Sequence, residues 1–245
     1  MLDTQKVGGS NPPSPTKMKI DLTYQDNDIL VVNKPAGISV FPEGQETNKT
    51  LIDYLIIEYP DLKQVGLAPR YGVVHRLDKD TSGVLLVAKN NQSLDDFQEQ
   101  FKDRKVYKEY IALCQGVISE KSGRIETLMG RSPKDRRKQK AFPLYDISAK
   151  GALRNAITNY RVLQNFENYT LIQVILETGR KHQIRCHMAH INHPLVGDKL
   201  YGFKDAPELK ELSRQFLHAK TIKIGDSVFS ADLPDDLKKV LDNIK

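Results

Sequence analysis

Apolar and polar positions alternate along this chain in short blocks, and the blocks predict many strands with a few helices between them. Ile29 to Val32 read as a strand, and Val84 to Ala88 form the continuous apolar run of a strand buried on both faces. Further strands are expected at Tyr107 to Leu113, Arg124 to Leu128, Lys140 to Tyr145, Ile157 to Leu163 and Thr170 to Leu176, the last apolar on both faces as a central strand would be. Helical spacing takes over from 50 to 59, where Leu51, Tyr54, Leu55 and Glu58 recur. Ser93 to Asp96 resembles a capping box, with Leu94, Phe97 and Phe101 repeating behind it as core positions. A helix is predicted from His182 to Ile191 with Ile184, Met188 and Ile191 as its buried stripe. A last helix opens at Pro234, with Asp235 and Asp236 early and Lys238 and Lys239 later, the charge order a helix dipole favours. Strands and helices mixed without regular alternation predict an α+β fold with a mixed, largely antiparallel sheet.

Residues 1–17 carry a Gly, Ser and Pro stretch with almost nothing to bury, so a disordered tail or a start-site artefact ahead of Met18 is expected there. The remainder, 18–245, is taken as the catalytic domain. Thr81-Ser82-Gly83 feeds the strand at Val84, and Asp78 sits just before it, in a loop that the core would anchor. From residue chemistry alone Asp78 is the first candidate for catalysis, and it could equally close a turn or pair with Arg76.

The run HRLDKDTSG at 75–83 resembles the signature motif of the RluA-type RNA pseudouridine synthases. DILVVNKPAG at 28–37 resembles that family's opening strand and turn, KEY at 108–110 its middle motif, and ETGRKHQIR at 177–185 with HPLVGD at 193–198 its third. The four matches fall in order. The resemblance implies a pseudouridine synthase fold whose sheet is divided into two halves with the active cleft between them. It also implies the roles. Asp78 becomes the carboxylate of the reaction, Arg185 the cation that keeps it ionised, and Tyr110 the ring lying against the target base. Ile184 would pack under the base. Arg76 would fill the space the flipped base leaves or hold a flanking phosphate, His75 would support the loop, and Lys34 would contact phosphate unless its Lys-Pro turn is purely structural.

Isomerising uridine to pseudouridine breaks a carbon-nitrogen glycosidic bond, turns the base and rejoins it through carbon, with no redox change. No cofactor is therefore expected. A carboxylate can attack the sugar, take a proton from it, or add to the base, and the sequence does not choose among these.

The net charge of +6 is modest. Between 131 and 140, however, six basic residues face only Asp135, so Arg136, Arg137 and Lys138 are candidate contacts to an RNA backbone, or else a solvated hairpin tip. His182, His187, His190 and His193 are crowded, but their order is not His-Glu-x-x-His and no cysteine pair joins them, so no metal is expected. Cys114 and Cys186 read as reduced thiols. No apolar run approaches the roughly 20 residues that span a bilayer. The expectation is a cytoplasmic monomer, not membrane-bound, with RNA as its partner: large-subunit rRNA first, tRNA next. The alternative is a catalytically silent RNA-binding or ribosome-assembly protein; a metal-dependent nuclease is disfavoured by the lack of clustered carboxylates.

The stretch 150–155, KGALRN, looks longer than the family's usual turn, so an RNA contact there is expected to differ. The family's small amino-terminal RNA-binding domain has no counterpart in the 17 leading residues, which leaves the choice of RNA open.

Overall fold

The computed structural model describes residues 20–43, 48–146, 151–205, 209 and 212–244. The expected tail at 1–17 lies outside them. In chain order the elements are β1 (Asp21–Gln25), β2 (Ile29–Lys34), α1 (Leu51–Glu58), β3 (Ser82–Ala88), α2 (Asn91–Lys102), β4 (Tyr107–Gln115), β5 (Ser122–Arg131) and β6 (Gln139–Phe142). They continue with β7 (Arg154–Asn165), β8 (Tyr169–Leu176), α3 (Gln183–His190), β9 (Leu217–Ile224), β10 (Ser227–Ser230) and α4 (Asp235–Asn243).

The strands form one sheet in the order β1-β2-β3-β9-β4-β8-β7-β5-β6, with β10 also pairing β9. All named pairings are antiparallel except β3 with β9. This is the α+β, largely antiparallel architecture that the patterning predicts. The parallel pairing spans only Ser82 with His218 and Gly83 with Ala219, so the two halves of the sheet meet along a short seam. Gly83 makes the seam possible. Its φ is +118°, and a Cβ there would come 2.1 Å from the Ala219 carbonyl oxygen.

The period-two pattern of β2 and β3 sorts their side chains into two cores. Leu30, Val32, Leu85 and Val87 join the large central cluster, whereas Ile29, Val31, Val84 and Leu86 pack on the opposite face with Val106 and Ile222. Burial on both faces explains the unbroken apolar run, each such side chain contributing about 1.5–3 kcal/mol. A third cluster joins Leu237 and Val240 of α4 to Phe216, Leu113 and Val196.

Several elements differ from the sequence reading. Strand β8 is central, between β4 and β7, but its side chains alternate between buried and half-buried rather than being buried on both faces. Helix α2 begins at Asn91, capped by Asn90, whose side chain accepts from the Ser93 backbone; Ser93 is inside the helix and donates to the Asp28 carbonyl. A capping box at Ser93 is thus replaced by a cap one turn earlier. Strand β6 stops at Phe142, because Pro143 has no N–H to continue the ladder and a turn follows. Pro234 is the cap of α4 rather than its first helical residue. Ile191 is half-buried and follows α3, and the helix is buried all round from Gln183 to Met188 rather than along one stripe of Ile184 and Met188. Strands β1, β9 and β10 carry no apolar run strong enough to single them out.

Candidate active site

The loop from His75 to Thr81 is fixed from beneath and from both sides. Leu77 is buried in the central cluster. Lys34, wholly buried, donates to the carbonyls of Pro35, Ile38 and Lys79 at 2.7, 2.8 and 2.9 Å, and the Gly37 N–H donates to the same Lys79 oxygen. Lys34 is therefore a brace between the Lys-Pro turn and the Asp78 loop. Its ammonium is enclosed and fully used, so the expected phosphate contact is corrected in favour of the structural turn. Burial lowers its pKa to about 7, while Asp80 and Asp78 act in the opposite direction.

His75 also faces away from the cleft. Its Nε2 accepts from the Leu86 N–H at 3.0 Å and its ring stacks on Phe101 with centroids 5.0 Å apart. Burial holds the ring neutral, its pKa falling to about 3. It braces the loop through that hydrogen bond and does not line the chamber, so the substrate contact also expected of it has no support in the geometry. On the other flank Arg214 donates to the Asp80 carbonyl and to Ser82 Oγ while paired with Asp236 of α4, and Gln215 donates to Thr81 Oγ1.

So held, Asp78 presents its carboxylate to Arg185 on α3, with Nη1 3.1 Å from Oδ2. The structure thus brings together two residues separated by 107 positions. The remaining edge of the guanidinium is gripped by Asp198, through Nε at 2.7 Å and Nη2 at 2.8 Å. Asp198 Oδ1 accepts as well from the N–H groups of Leu200 and Tyr201. Burial opposes the charge on Arg185, yet its hydrogen bonds with Asp198 and the charges of Asp198 and Asp78 raise its pKa further. Burial likewise opposes ionisation of Asp198, and Arg185 together with the two N–H groups holds its carboxyl below the usual range. The Tyr201 ring lies 5.3 Å from the guanidinium carbon.

Helix α3 is aimed by the residue before it and by its first residue. His182 adopts φ 55°, turning the chain sharply from the preceding loop into the helix. Gln183 accepts from the Arg180 N–H and from Thr178 Oγ1 and donates to the Ile157 carbonyl and Thr158 Oγ1, locking loop, helix and β7 together.

Tyr110 on β4 and Ile184 on α3 are both buried and line the same chamber as Asp78, with Leu176 and Leu217. That chamber is about 90 Å³ and adjoins a groove of about 480 Å³; Arg76, Asp78, Lys181, His182 and Arg185 line both. Burial, then the charge of Asp78, pushes the Tyr110 phenol well above its ordinary pKa, so at neutral pH it is a phenol. Arg76 stands at the mouth, its guanidinium 5.0 Å from the Phe41 ring, paired with Glu43. Glu43 also meets Lys181 from the opposite half at 3.2 Å.

Arg136, Arg137 and Lys138 form the tip of the β5-β6 hairpin, apart from the chamber. Arg137 is paired with Asp135 at 2.8 Å, and the Lys138 ammonium lies 5.7 Å from the Tyr201 ring. Tyr201 in turn contacts His182 Nδ1 at 3.2 Å and accepts from the Gln139 N–H, linking the hairpin to the groove wall. The crowded histidines have separate partners: His187 between Thr127 and Thr158, His193 at the Gln115 carbonyl. Sequence reasoning assigned no role to Asp198, Tyr201, Glu43 or Lys181. The Gly-Asp at 197–198 was the visible signal for the first.

A half-buried carboxylate held against an arginine, with a tyrosine and an isoleucine over a small chamber, occupies one seam of a divided sheet. The model of the RNA pseudouridylate synthase family matches residues 28–190, and the chain belongs to that family. It is an RNA pseudouridine synthase, an isomerase.

The uncharacterized RNA pseudouridine synthase YlyB of Bacillus subtilis is 38% identical over 93% of this chain and 74% of its own length. The ribosomal large subunit pseudouridine synthase D of Haemophilus influenzae is 36% identical over 92% of this chain and 71% of its own. Among solved structures, human RNA pseudouridylate synthase domain containing 4 superposes with TM-score 0.74 at 25% identity, covering 91% of this chain and 92% of that one. Among the described residues, no helix is long and apolar enough to cross a membrane.

Proposed function

We propose that this enzyme isomerises specific uridines in large-subunit rRNA, with Asp78 as the reacting carboxylate. The observation that carries the reading is the Asp78–Arg185–Asp198 chain of charge, in which Asp198 fixes one arginine against the Asp78 carboxylate that opens into a chamber. An RNA-binding protein without activity has no use for it. Similarity to synthases named for the large ribosomal subunit supports that choice of substrate.

The target uridine leaves its stack and enters the chamber, since its glycosidic bond is out of reach in folded RNA. Its base lies between Tyr110 and Ile184. Asp78, kept in place by Arg185, acts on the sugar or the base while the glycosidic bond breaks. The base turns and rejoins through carbon 5, and the hydrogen leaving that carbon departs as a proton. Tyr110, as a phenol with Asp78 beside it, is placed to relay that proton rather than to act as a ready phenolate. Arg76 at the mouth, once released from Glu43, fills the vacated stack or holds a flanking phosphate. Residues 18–245 act as the catalytic domain in this account.

Tritium release from carbon-5-labelled uridine tests it. Release from a large-subunit rRNA transcript ahead of a tRNA transcript is the expected result. Faster release from tRNA would move the substrate to tRNA, and no release from either would favour a silent rRNA-binding role.

A further inference from the structure

Arg214 lines the groove beside Asp78 and Arg185, yet its hydrogen bonds are all made inside the protein. The residue is buried, and each N–H of its guanidinium has an acceptor. Nε and Nη2 meet the carboxylate of Asp236 at 2.7 and 3.1 Å. Nη2 also donates to Ser82 Oγ at 3.3 Å, and Nη1 donates to the carbonyls of Asp80 and Leu217 at 3.2 and 3.4 Å. Asp80 and Ser82 close the loop that carries Asp78, so one side chain ties that loop to α4. The helix is itself a fixed point, because Leu237 and Val240 are buried against Phe216, Leu113 and Val196. Asp236 stands half-buried in its first turn, and although burial opposes its ionisation, the hydrogen bond and charge of Arg214 hold its carboxyl below the usual range.

The backbone of the same segment reaches the other side of the reacting pair. Gly197, at φ +72°, lies so close that a Cβ there would come 2.2 Å from the Arg214 carbonyl oxygen. The Phe216 N–H donates to the Val196 carbonyl at 2.8 Å. Asp198, the next residue along, is the one that grips Arg185. Residues 214–216 therefore touch both supports at once, the Asp78 loop through a side chain and the Arg185 clamp through backbone. Removing the Asp236 carboxylate would leave a buried guanidinium without the partner that aims it.

We infer that Arg214, aimed by Asp236, is a positioning residue that sets the Asp78 carboxylate against Arg185, so that the last helix of the chain governs the rate of the step at Asp78. Both residues lie outside the stretch 28–190 that the family model matches. The inference rests on the reading of Asp78 as the reacting carboxylate.

The test is single-turnover pseudouridine formation, with excess enzyme on a large-subunit rRNA transcript, for wild type, Asp236→Ala, Asp236→Glu, Arg214→Lys and Asp235→Ala. Transcript Kd, melting temperature and hydrogen-deuterium exchange of the 78–82 segment are measured alongside. Asp235→Ala removes a carboxylate from the same turn of α4, one whose partner is Lys238 at 3.8 Å rather than Arg214. Asp236→Ala should slow the rate about tenfold and Arg214→Lys about 10²-fold, since catalysis is sensitive to misplacement of about 1 Å. Both should keep Kd near wild type and exchange faster over 78–82. Asp236→Glu, which can still reach the guanidinium, should recover most of the rate, and Asp235→Ala should match wild type. Asp236→Ala at the wild-type rate, or Asp235→Ala as slow as Asp236→Ala, would overturn the inference. So would a weakened Kd with the rate at saturating enzyme intact, which would assign Arg214 to RNA binding. If wild type itself forms no pseudouridine, the reading of Asp78 fails, and exchange over 78–82 still decides whether α4 holds the loop: unchanged exchange in Asp236→Ala would end that role too.

Discussion

At the scale of single residues, charge placement explains more of this protein than residue identity does. Asp78 and Arg185 were legible because a motif names them; Asp198 was visible in the Gly-Asp at 197–198, but the reach of its carboxylate across 13 residues to grip a helix was not. Lys34 shows the opposite failure. A lysine at the end of a strand, opening a turn, suggests phosphate, yet three backbone carbonyls converge on it. Asp198→Asn should leave RNA affinity near wild type and reduce kcat by about 10²-fold, since Arg185 would lose its alignment and catalysis is sensitive to misplacement of about 1 Å. Single-turnover kinetics with a separate binding measurement would check it. A rise in KM with kcat intact would assign Asp198 to RNA binding instead.

At the scale of elements, helix α3 depends on a buried neutral histidine. His187 sits between Thr127 of β5 and Thr158 of β7, at 2.9 and 2.8 Å, and burial, then His190, lowers its pKa from 6.5 to about 4. His218, bonded to Ser82 and the Ala231 carbonyl, is lowered to about 4 as well. Between pH 6.5 and 4 the unfolded chain binds the protons that these folded imidazoles refuse. Their contribution is therefore complete above pH 6.5 and is lost as the pH falls toward 4, by up to about 1.4 kcal/mol per pH unit for each histidine. Denaturant titrations at several pH values should show His187→Asn less stable at pH 7 by about 1–3 kcal/mol, with a shallower decline into acid. Parallel curves for variant and wild type would remove His187 from the pH dependence. The helix itself was readable from its spacing. Its entry through a left-handed His182 was not, because a non-glycine residue gives no local sign that tertiary bonds will hold it there.

At the scale of the whole molecule, the largest part hidden from the sequence is strand order. The runs that become β2, β3, β4, β7 and β8 announce themselves, whereas β9 is a modest alternation, LHAKTIKI, that inserts between β3 and β4 from far along the chain. That insertion creates the seam and so the cleft. Pairings of high sequence separation leave little mark on local pattern, though Gly83 was an available hint of close backbone approach. The basic hairpin at 131–140 was legible as a charged segment with Asp135 as its one acidic residue, but the pairing of Asp135 with Arg137 in particular was not. Neutralising Arg136, Arg137 and Lys138 together should therefore reduce the salt slope of RNA binding by about 1.4, the worth of two phosphate contacts rather than three. Filter binding across a salt series would decide, and an unchanged slope would make the hairpin bland surface.

The central claim, that Asp78 reacts while its surroundings bind, is tested most directly by Asp78→Asn under single-turnover conditions with excess enzyme. Asparagine keeps an acceptor for Arg185 while losing the charge. The variant should bind the transcript with nearly wild-type affinity and form no pseudouridine. Product formed at a rate near wild type would contradict it.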